Sequence, residues 1–355
     1  MRNSATKQVR VGEVLIGGGA PVSVQSMTNT PTADVKATVE QIAGLADSGC
    51  DIVRCAVPDM EAAEAIGPIK KSIKLPLVAD IHFDYRLALR SLEMGADKIR
   101  INPGNIGSPE RVKAVLAAAK ERGIPIRIGV NSGSLEKHIL TKYGGITAEA
   151  LAESAAETVQ MVERMDFTDI VVSLKASDVK LNYEAHMLIA ERLNYPLHIG
   201  ITESGTINSG KIKSAAGIGA LLLAGIGDTI RVSLTGDPME EVRFAHELLQ
   251  AVGMKKSGID LISCPTCGRT GVDLIRIAEE AEQRLKPYKE LWIKEGRAPI
   301  KIAVMGCEVN GPGEAAGADM GVAYGKGRAV VFKNGEIVAA CPAEKALDML
   351  FELMD

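Results

Sequence analysis

The feature that most limits the fold of this sequence is a regular alternation of short β-branched runs and longer helical patterns between residues 22 and 253. Apolar residues recur at i, i+3 and i+4 between the runs, which predicts helices. Eight strand–helix units in about 230 residues favour a (β/α)8 barrel, and an open doubly wound sheet would need a glycine fingerprint that is absent after the first strand. The predicted strands are Val22–Ser26, Ile52–Val57, Leu77–Ile81, Lys98–Ile101, Ile126–Val130, Ile170–Leu174, Leu197–Thr202 and Thr229–Leu234.

The eightfold rhythm stops near Lys255–Gly258, which predicts two domains, a TIM barrel over residues 1–256 and a smaller α/β domain over residues 257–355. Residues 8 to 20 are expected to form a hairpin that leads into the barrel. In the second domain, Asn334-Gly335 between two β-rich runs predicts another hairpin. The other elements predicted there are Val272–Glu295, Lys301–Met305 and Ala343–Met354.

The composition argues against nucleic-acid and membrane partners. The chain has 41 Lys and Arg against 45 Asp and Glu, a net charge of −4, which does not attract phosphate polymers or anionic membranes. One Trp, six Tyr and five Phe are few for base stacking. The longest apolar stretch, Gly217 to Gly227, is much shorter than the roughly 20 residues that cross a bilayer. The amino terminus has no secretion signal, so a cytoplasmic location is expected.

Basic residues are concentrated where the predicted strands end. In a barrel of this class the active site lies at the carboxyl ends of the strands. The basic residues at or near these ends are Arg54, Arg100, Arg127, Lys175 and Arg231, and their polar neighbours are Asp80, His82, Asn102, Asn131, Glu203 and Ser233. Converging cations repel one another unless they hold an anion, and arginine binds phosphate oxygens in bidentate fashion. A phosphate-ester substrate is therefore predicted; the alternative is that these cations neutralise carboxylates in the barrel core.

Two residues of this set, Glu203 and His82, are the candidates for general acid or base. A salt bridge is the alternative role for Glu203. The remaining histidines show no partner pattern and are expected at the surface or in hydrogen-bonded positions; they are His138, His186, His198 and His246.

The second domain has a cysteine motif. Cys264-Pro-Thr-Cys267 places two thiolates on one tight turn, and Cys307 follows in the segment MGCEVNGPGEAAG. Three thiolates can bind three irons of a cubane cluster and leave one iron for another ligand. The spacing is equally compatible with a zinc site, for which Cys341 or a histidine would supply the fourth ligand.

Nine segments together resemble successive signatures of the bacterial 4-hydroxy-3-methylbut-2-en-1-yl diphosphate synthases, the penultimate enzymes of the methylerythritol phosphate route to isoprenoids. They are VRCAVPDM, ADIHF, KIRINPGN, IRIGVNSGSLE, VSLKAS, GITESG, IRVSLTGDP, ISCPTCGRT and GCEVNGPGEA. The resemblance covers nearly the whole chain, and the last two motifs are highly specific. The large insertion that plant-type members carry between their two domains is absent, so the chain resembles the two-domain bacterial form.

The resemblance implies an oxidoreductase with a 4Fe-4S cluster bound by Cys264, Cys267 and Cys307, with Glu314 as an exchangeable oxygen ligand. This ligand set removes the need for a fourth cysteine. The implied reaction is the two-electron reductive ring opening of 2-C-methyl-D-erythritol 2,4-cyclodiphosphate with loss of water, in which Glu314 can leave its iron. The implied partners are flavodoxin or ferredoxin as electron donor and a second subunit, the cluster domain of each subunit capping the barrel of the other in a homodimer.

Two other classes of function remain open from the residues alone. One is a non-redox barrel transferase that acts on a phosphorylated substrate and carries a structural zinc appendage. The other is a non-catalytic metal-binding interaction module. Iron distinguishes the oxidoreductase from both, because each of them would hold zinc.

Overall fold

A computed structural model of the chain describes residues 5–255, 258–307, 315 and 317–354. The chain divides into two compact units, the first ending at Val252 and the second beginning at Gly253. The first unit opens with the predicted hairpin, in which strands β1 (Val9–Val11) and β2 (Val14–Ile16) pair antiparallel. Its apolar side chains pack on those of Ile52 and Val78, so the hairpin covers the end of the barrel at which the strands begin.

Eight parallel strands follow and form the barrel. They are β3 (Ser23–Met27), β4 (Ile52–Ala56), β5 (Leu77–Asp80), β6 (Lys98–Ile101), β7 (Ile126–Asn131), β8 (Ile170–Lys175), β9 (His198–Ile199) and β10 (Thr229–Ile230). Their order is β8-β7-β6-β5-β4-β3-β10-β9. A bridge between Val172 and Leu197 joins the two ends of this order and closes the ring. The predicted (β/α)8 barrel is therefore confirmed.

The last two strands are shorter than predicted, with two residues each. Directly after β10 the Arg231 N–H still donates to the Ile199 carbonyl of β9, at 3.0 Å, but further along a side chain accepts instead. The Leu234 N–H donates to Oε1 of Glu241 at 2.9 Å instead of to a neighbouring strand. A β-branched run in the sequence predicts extended backbone, but it does not reveal where a side-chain carboxylate, and not a neighbouring strand, accepts the backbone hydrogen bond.

The barrel helices surround the strands. They are α1 (Val35–Asp47), α2 (Met60–Ser72), α3 (Tyr85–Glu93), α4 (Pro103–Ile106), α5 (Pro109–Glu121), α6 (Lys137–Tyr143), α7 (Ala148–Glu163), α8 (Val179–Arg192), α9 (Ile207–Leu223) and α10 (Pro238–Ala251). Several begin after an aspartate whose carboxylate accepts a backbone N–H of the first turn, as N-cap residues do. These aspartates are Asp34, Asp59, Asp84, Asp178 and Asp237. Within the described ranges, no helix is long and apolar enough to span a membrane.

The second unit is built on a mixed five-stranded sheet. Its strands are β11 (Ile259–Ser263), β12 (Ile300–Met305), β13 (Met320–Tyr324), β14 (Arg328–Lys333) and β15 (Glu336–Pro342), and its helices are α11 (Leu274–Lys294) and α12 (Ala346–Glu352). The strands are adjacent in chain order; β11 to β13 are parallel, and β13 to β15 are antiparallel. The turn between β14 and β15 has positive φ at both Asn334 and Gly335, which is why that dipeptide predicts a hairpin.

Candidate active site in the barrel and candidate cluster site in the second unit

The basic residues predicted for the barrel occupy its interior. Residues two apart on a strand face the same way, so Gly129 and Arg127 of β7 share one face. The Gly129 Cα faces the Arg100 guanidinium, because a Cβ there would lie 3.0 Å from Nε of Arg100. Similarly, a Cβ on Gly200 would lie 3.4 Å from Nζ of Lys175. Four of the five cations are buried and Arg231 is half-buried; the four are Arg54, Arg100, Arg127 and Lys175.

Arg127 lies deeper than predicted. It is the second residue of β7 and not a residue of its carboxyl end. Its register partners are Arg100 on β6 and Val171 on β8. The barrel mouth, meaning the carboxyl ends of β3 to β10 with the loops that follow, therefore has cationic side chains both at its rim and below it.

Asp80 at the end of β5 is the centre of an ionic network. Nη1 of Arg100 lies 3.0 Å from its Oδ1, and Nε of Arg54 lies 3.6 Å from its Oδ2. Nε2 of His82 is 3.7 Å from the same Oδ2. Burial opposes ionisation of this carboxyl, but Arg54, the His82 hydrogen bond and Arg100 hold its pKa far below the ordinary range. Asp80 is therefore a permanent anion that orients two guanidinium groups.

Arg127 and Lys175 have no such counter-ion. In the described part of the chain, no carboxylate oxygen lies within 4.0 Å of either side chain, and Nε and Nη1 of Arg127 are buried without a hydrogen-bond partner. Burial, followed by the charges of neighbouring cations, lowers the pKa of both groups well below the usual range. An unpaired buried charge costs several kcal/mol, so such groups persist where a ligand supplies the opposite charge.

Arg231 is the third basic residue that has a carboxylate partner: its Nη2 lies 3.6 Å from Oε2 of Glu241. Ser26 Oγ also donates to that oxygen, at 3.1 Å. The alternative in which the cations neutralise core carboxylates thus holds for Arg54, Arg100 and Arg231, but not for Arg127 and Lys175. The buried Lys, Arg, Asp and Glu residues of the described chain are five basic and three acidic residues, namely Arg54, Lys98, Arg100, Arg127 and Lys175 against Asp80, Asp228 and Glu241.

The two candidates for proton transfer are both exposed at the rim. His82 follows β5, and its Nε2 lies 3.2 Å from Nη1 of Arg100, so a proton-donating guanidinium faces the imidazole. Glu203 has φ +51, a left-handed conformation that is uncommon for residues other than glycine. Neighbouring Ser204 donates its hydroxyl to the carbonyl of Ser233, which ties the loop after β9 to the loop after β10. No cation of the described chain lies within 4.0 Å of Glu203, so the salt bridge considered for it is not formed there.

The remaining predicted polar residues lie on the same rim. Oδ1 of Asn102 accepts the Gly104 N–H at 3.1 Å and caps α4, so part of its hydrogen bonding is used locally. Asn131 ends β7 directly opposite Lys175 in the register of β8. Ser233 lies in the loop after β10, where its side chain is half-buried.

Two residues of the barrel interior were not predicted. Lys98 at the start of β6 and His198 at the start of β9 are fully buried. Within the described ranges, neither Lys98 Nζ nor either ring nitrogen of His198 has a hydrogen-bond partner. The expectation that His198 is exposed or hydrogen-bonded is therefore wrong, because this residue shares the inner face of its strand with Gly200.

A short repeat in the sequence indicates the position of Lys98, although not that of His198. The pattern Asp-x-(Ile/Val)-Arg occurs in DIVR, DKIR and DTIR at the starts of β4, β6 and β10. Each aspartate accepts, at 2.7 Å, a backbone N–H in or directly before the preceding strand of the barrel: Asp51 from Val24, Asp97 from Leu77 and Asp228 from Leu197. The arginine three residues later then faces inward with the residue two positions before it, which in β6 is Lys98.

The cysteines of the second unit follow two neighbouring parallel strands. Ser263 of β11 pairs with Val304 of β12, so Cys264 and Cys307 leave the same edge of the sheet. The Gly306 N–H donates to Cys264 Sγ at 3.3 Å, which joins the two segments. Cys267 lies on a tight turn in which its carbonyl accepts the Thr270 N–H at 3.0 Å.

The chemistry of these thiols suits metal binding. Hydrogen bonds from the backbone and side chain of Arg269 lower the pKa of Cys267, which favours the thiolate. In contrast, burial raises the pKa of Cys50 to about 12 and of Cys55 to about 11, so the barrel thiols stay protonated. Cys264 and Cys307 are partly exposed.

The described residues contain no group of three His, Cys, Asp or Glu side chains placed to hold a single metal ion. Cluster cysteines bind different irons, so they stand further apart than the ligands of one ion. The thiolate donors and the hydrogen bond at Cys264 fit an iron–sulfur cluster. Glu314 lies outside the described residues.

Comparison with known proteins assigns both units to one family. The family model described as GcpE TIM-barrel domain matches residues 6–246, and that of the GcpE protein C-terminal domain matches residues 260–355. Proteins named 4-hydroxy-3-methylbut-2-en-1-yl diphosphate synthase (flavodoxin) are similar over nearly the whole chain. The one from Caldanaerobacter subterraneus is 58% identical over 98% of this chain and 96% of its own. The one from Clostridium acetobutylicum is 56% identical over 100% of this chain and 99% of its own.

Some solved structures are similar to 70% of this chain. A dihydropteroate synthase from Vibrio fischeri superposes with a TM-score of 0.51 at 12% identity, over 70% of this chain and 98% of its own. A 3-dehydroquinate dehydratase from Geobacillus kaustophilus gives a TM-score of 0.50 at 14% identity, over 70% of this chain and 98% of its own. At these identities the likeness is one of fold, which hosts many chemistries.

Proposed function

This chain belongs to the GcpE family, and from that premise we propose that it opens the ring of 2-C-methyl-D-erythritol 2,4-cyclodiphosphate by two-electron reduction, with loss of water, to give 4-hydroxy-3-methylbut-2-enyl diphosphate. The observation that carries the proposal is the surplus of buried cations in the barrel, above all Arg127 and Lys175, which have no carboxylate partner in the described residues. A compact cyclic diphosphate supplies the missing negative charge. The non-redox transferase is not favoured, because its support is a likeness of fold alone.

The barrel residues bind and orient this substrate. Asp80 holds Arg54 and Arg100 in place, while Arg127, Lys175 and Arg231 present donors to the diphosphate oxygens. Negative charge increases on the diphosphate as the ring carbon–oxygen bond breaks. Cations that are already in position stabilise that charge without reorganisation, which is the main means of lowering such a barrier. Asn102, Asn131 and Ser233 are proposed to add neutral hydrogen bonds at the rim.

Loss of the hydroxyl group as water requires a proton. Glu203 and His82 are the exposed titratable groups at the rim, and each is held there by the backbone and the hydrogen bonds described above. The pH–rate profiles of the Glu203→Gln and His82→Gln enzymes identify the proton donor. The limb of the profile that reports ionisation of the general acid disappears in the variant that lacks this group.

The second unit is proposed to hold a 4Fe-4S cluster through Cys264, Cys267 and Cys307, with Glu314 as the fourth ligand. When bound, such a cluster supplies electrons and a Lewis-acidic iron. The lowered pKa of Cys267 and the Gly306 N–H at Cys264 support this assignment. The electron donor is proposed to be flavodoxin, which the names of the relatives state, with ferredoxin as the alternative carrier, and the enzyme is proposed to be a cytoplasmic homodimer.

Anaerobic purification tests the proposal. We expect a brown protein with broad absorption near ~400 nm and about four irons per chain. It should convert the cyclodiphosphate when reduced flavodoxin is supplied. A colourless, zinc-containing protein without this turnover would instead support the transferase or the interaction module.

A further inference from the structure

The barrel interior has a second polar layer beneath the diphosphate site. Barrel interiors are ordinarily filled by branched apolar side chains. Here the layer below the mouth contains Gln25, Lys98, His198 and Thr229, which we call the inner layer. Lys98 and His198 are placed there by strand alternation, two residues before Arg100 and Gly200. Gln25 Nε2 donates to Thr229 Oγ1 at 2.7 Å, so these two members satisfy each other.

The other two members have no partner in the described residues. Lys98 Nζ and both ring nitrogens of His198 are buried without a hydrogen bond. The charged groups on the inner faces of the neighbouring strands are mostly cations. They are Arg54 of β4, Arg100 of β6, Arg127 of β7, Lys175 of β8 and Arg231 after β10, with one carboxylate, Asp80 of β5.

The carboxylates near this layer are already engaged. Asp80 faces Arg54 and Arg100, and Glu241 of α10 faces Arg231. Asp51, Asp97 and Asp228 at the strand starts accept backbone N–H groups of neighbouring strands. Asp97 also pairs with Lys70, and Asp228 accepts the hydroxyl of Thr6. A proton on Lys98 or His198 would therefore add an uncompensated buried charge.

Burial, then the charge of Arg127, lowers the pKa of Lys98 and of His198 well below the usual values. A bound dianion lowers the positive potential that the surrounding cations create. An opposite charge nearby favours the protonated form of an amine or imidazole. The same burial that disfavours these charges in the empty barrel strengthens their attraction to a ligand inside it.

We propose that Lys98 and His198 are uncharged in the empty barrel and take up protons from solvent when the diphosphate binds, so that substrate binding is coupled to proton uptake. This inference rests on the proposed function, since it requires an anion in the barrel. It lowers the repulsion among the basic groups of the empty barrel. It also favours diphosphates over monophosphates, because a larger ligand charge recruits more protons.

Calorimetry of the anaerobic holoenzyme with the cyclodiphosphate and no reductant tests the coupling. Titrations near pH 7.5 in two buffers with different ionisation enthalpies give the number of protons taken up. We expect about one to two protons per chain, and an affinity that falls as pH rises, because the bound state holds more protons. Lys98→Met should lower the uptake by about one proton, and His198→Gln should lower it as well. Lys120→Met, the same change at an exposed lysine paired with Asp166, should keep the full uptake.

Normal affinity with no dependence on the buffer would overturn the inference and leave the proposed function standing. Unchanged uptake in both Lys98→Met and His198→Gln would overturn the assignment to these residues. Absence of any binding by the wild-type holoenzyme would contradict the proposed function itself. The proton uptake of the wild-type enzyme tests the coupling without any variant. If the Lys98→Met protein does not fold, His198→Gln still tests the assignment to these residues.

Discussion

At the scale of single residues, some buried charges of the barrel interior lower the stability of the empty protein but are in position to bind a ligand. Arg127 is buried with two guanidinium nitrogens that lack partners in the described chain, an arrangement that costs free energy in the empty protein. Asp80 shows the opposite case, a buried carboxylate that is fully compensated by its neighbours. The two residues therefore respond differently to replacement.

Replacement of Arg127 by Met should weaken binding of the cyclodiphosphate about ten- to a hundredfold, because one charge-assisted contact is worth roughly 1.5–3 kcal/mol. The free energy of unfolding should stay equal or rise, since an unpaired buried charge is removed. Calorimetry and urea denaturation measure the two effects, with the exposed Arg122→Met as control. Unchanged affinity, or a large loss of stability, would show that Arg127 has a structural role instead.

Asp80 makes the stability of the barrel depend on pH in the acidic range. Its pKa is lower in the folded than in the unfolded chain, so its stabilising effect is complete above about pH 4 and is lost as pH falls further. Asp80→Asn should lower the free energy of unfolding at pH 7 by roughly 3–5 kcal/mol, because Arg54 and Arg100 lose their counter-ion. The difference between wild type and variant should shrink below about pH 4 in urea denaturation series. Parallel pH curves for the two proteins would contradict this account.

At the scale of elements, the Asp-x-(Ile/Val)-Arg repeat links barrel construction to the site. In each copy the aspartate accepts a backbone N–H near the start of the preceding strand of the barrel. The arginine three residues later points into the barrel interior. The three-residue spacing between the aspartate and the arginine sets how deep in the barrel the arginine side chain lies. The same four residues therefore position a strand and supply a group for the ligand.

Asp228→Ala should destabilise the barrel, because it leaves the buried Leu197 N–H and the Thr6 hydroxyl without their carboxylate acceptor. The expected loss is about 1–3 kcal/mol in the free energy of unfolding, measured by urea denaturation. Asp47→Ala at the exposed end of α1 is the matched control and should change stability little. If both variants unfold at the same urea concentration, the strand-start aspartates do not hold the barrel together.

At the scale of the whole molecule, the two units supply different parts of the proposed chemistry. Cys307→Ser should lose most of the iron and all reductive turnover, while the barrel keeps its fold. Cys341→Ala, a buried cysteine of β15 in the same unit, should keep both iron and turnover. Iron assay and circular dichroism measure these outcomes. Full iron content in Cys307→Ser would remove this residue from the ligand set.

Strand β13 shows where the sequence pattern was insufficient to predict a strand. β13 reads Met-Gly-Val-Ala-Tyr, with little intrinsic preference for strand, and it forms because β12 and β14 pair with it on both sides. Gly321 in its middle lies directly against the backbone of Ala303 and the ring of Phe332, an approach that no larger residue permits. Such a strand is determined by its neighbours more than by its own residues.

The sequence by itself determined the barrel, its eight strands and the cysteine turn, because hydrophobic period and turn chemistry act over a few residues. It also located the basic residues on the barrel strands, although Arg127 lies deeper than the predicted strand end. Only the tertiary structure decided which of them are compensated, since Asp80, Arg54 and Arg100 come from three strands and meet only when β4, β5 and β6 pair side by side. It likewise decided that Lys98 and His198 face inward without partners. The charge that a buried group carries depends on distances to groups remote in the chain, and no local pattern contains those distances.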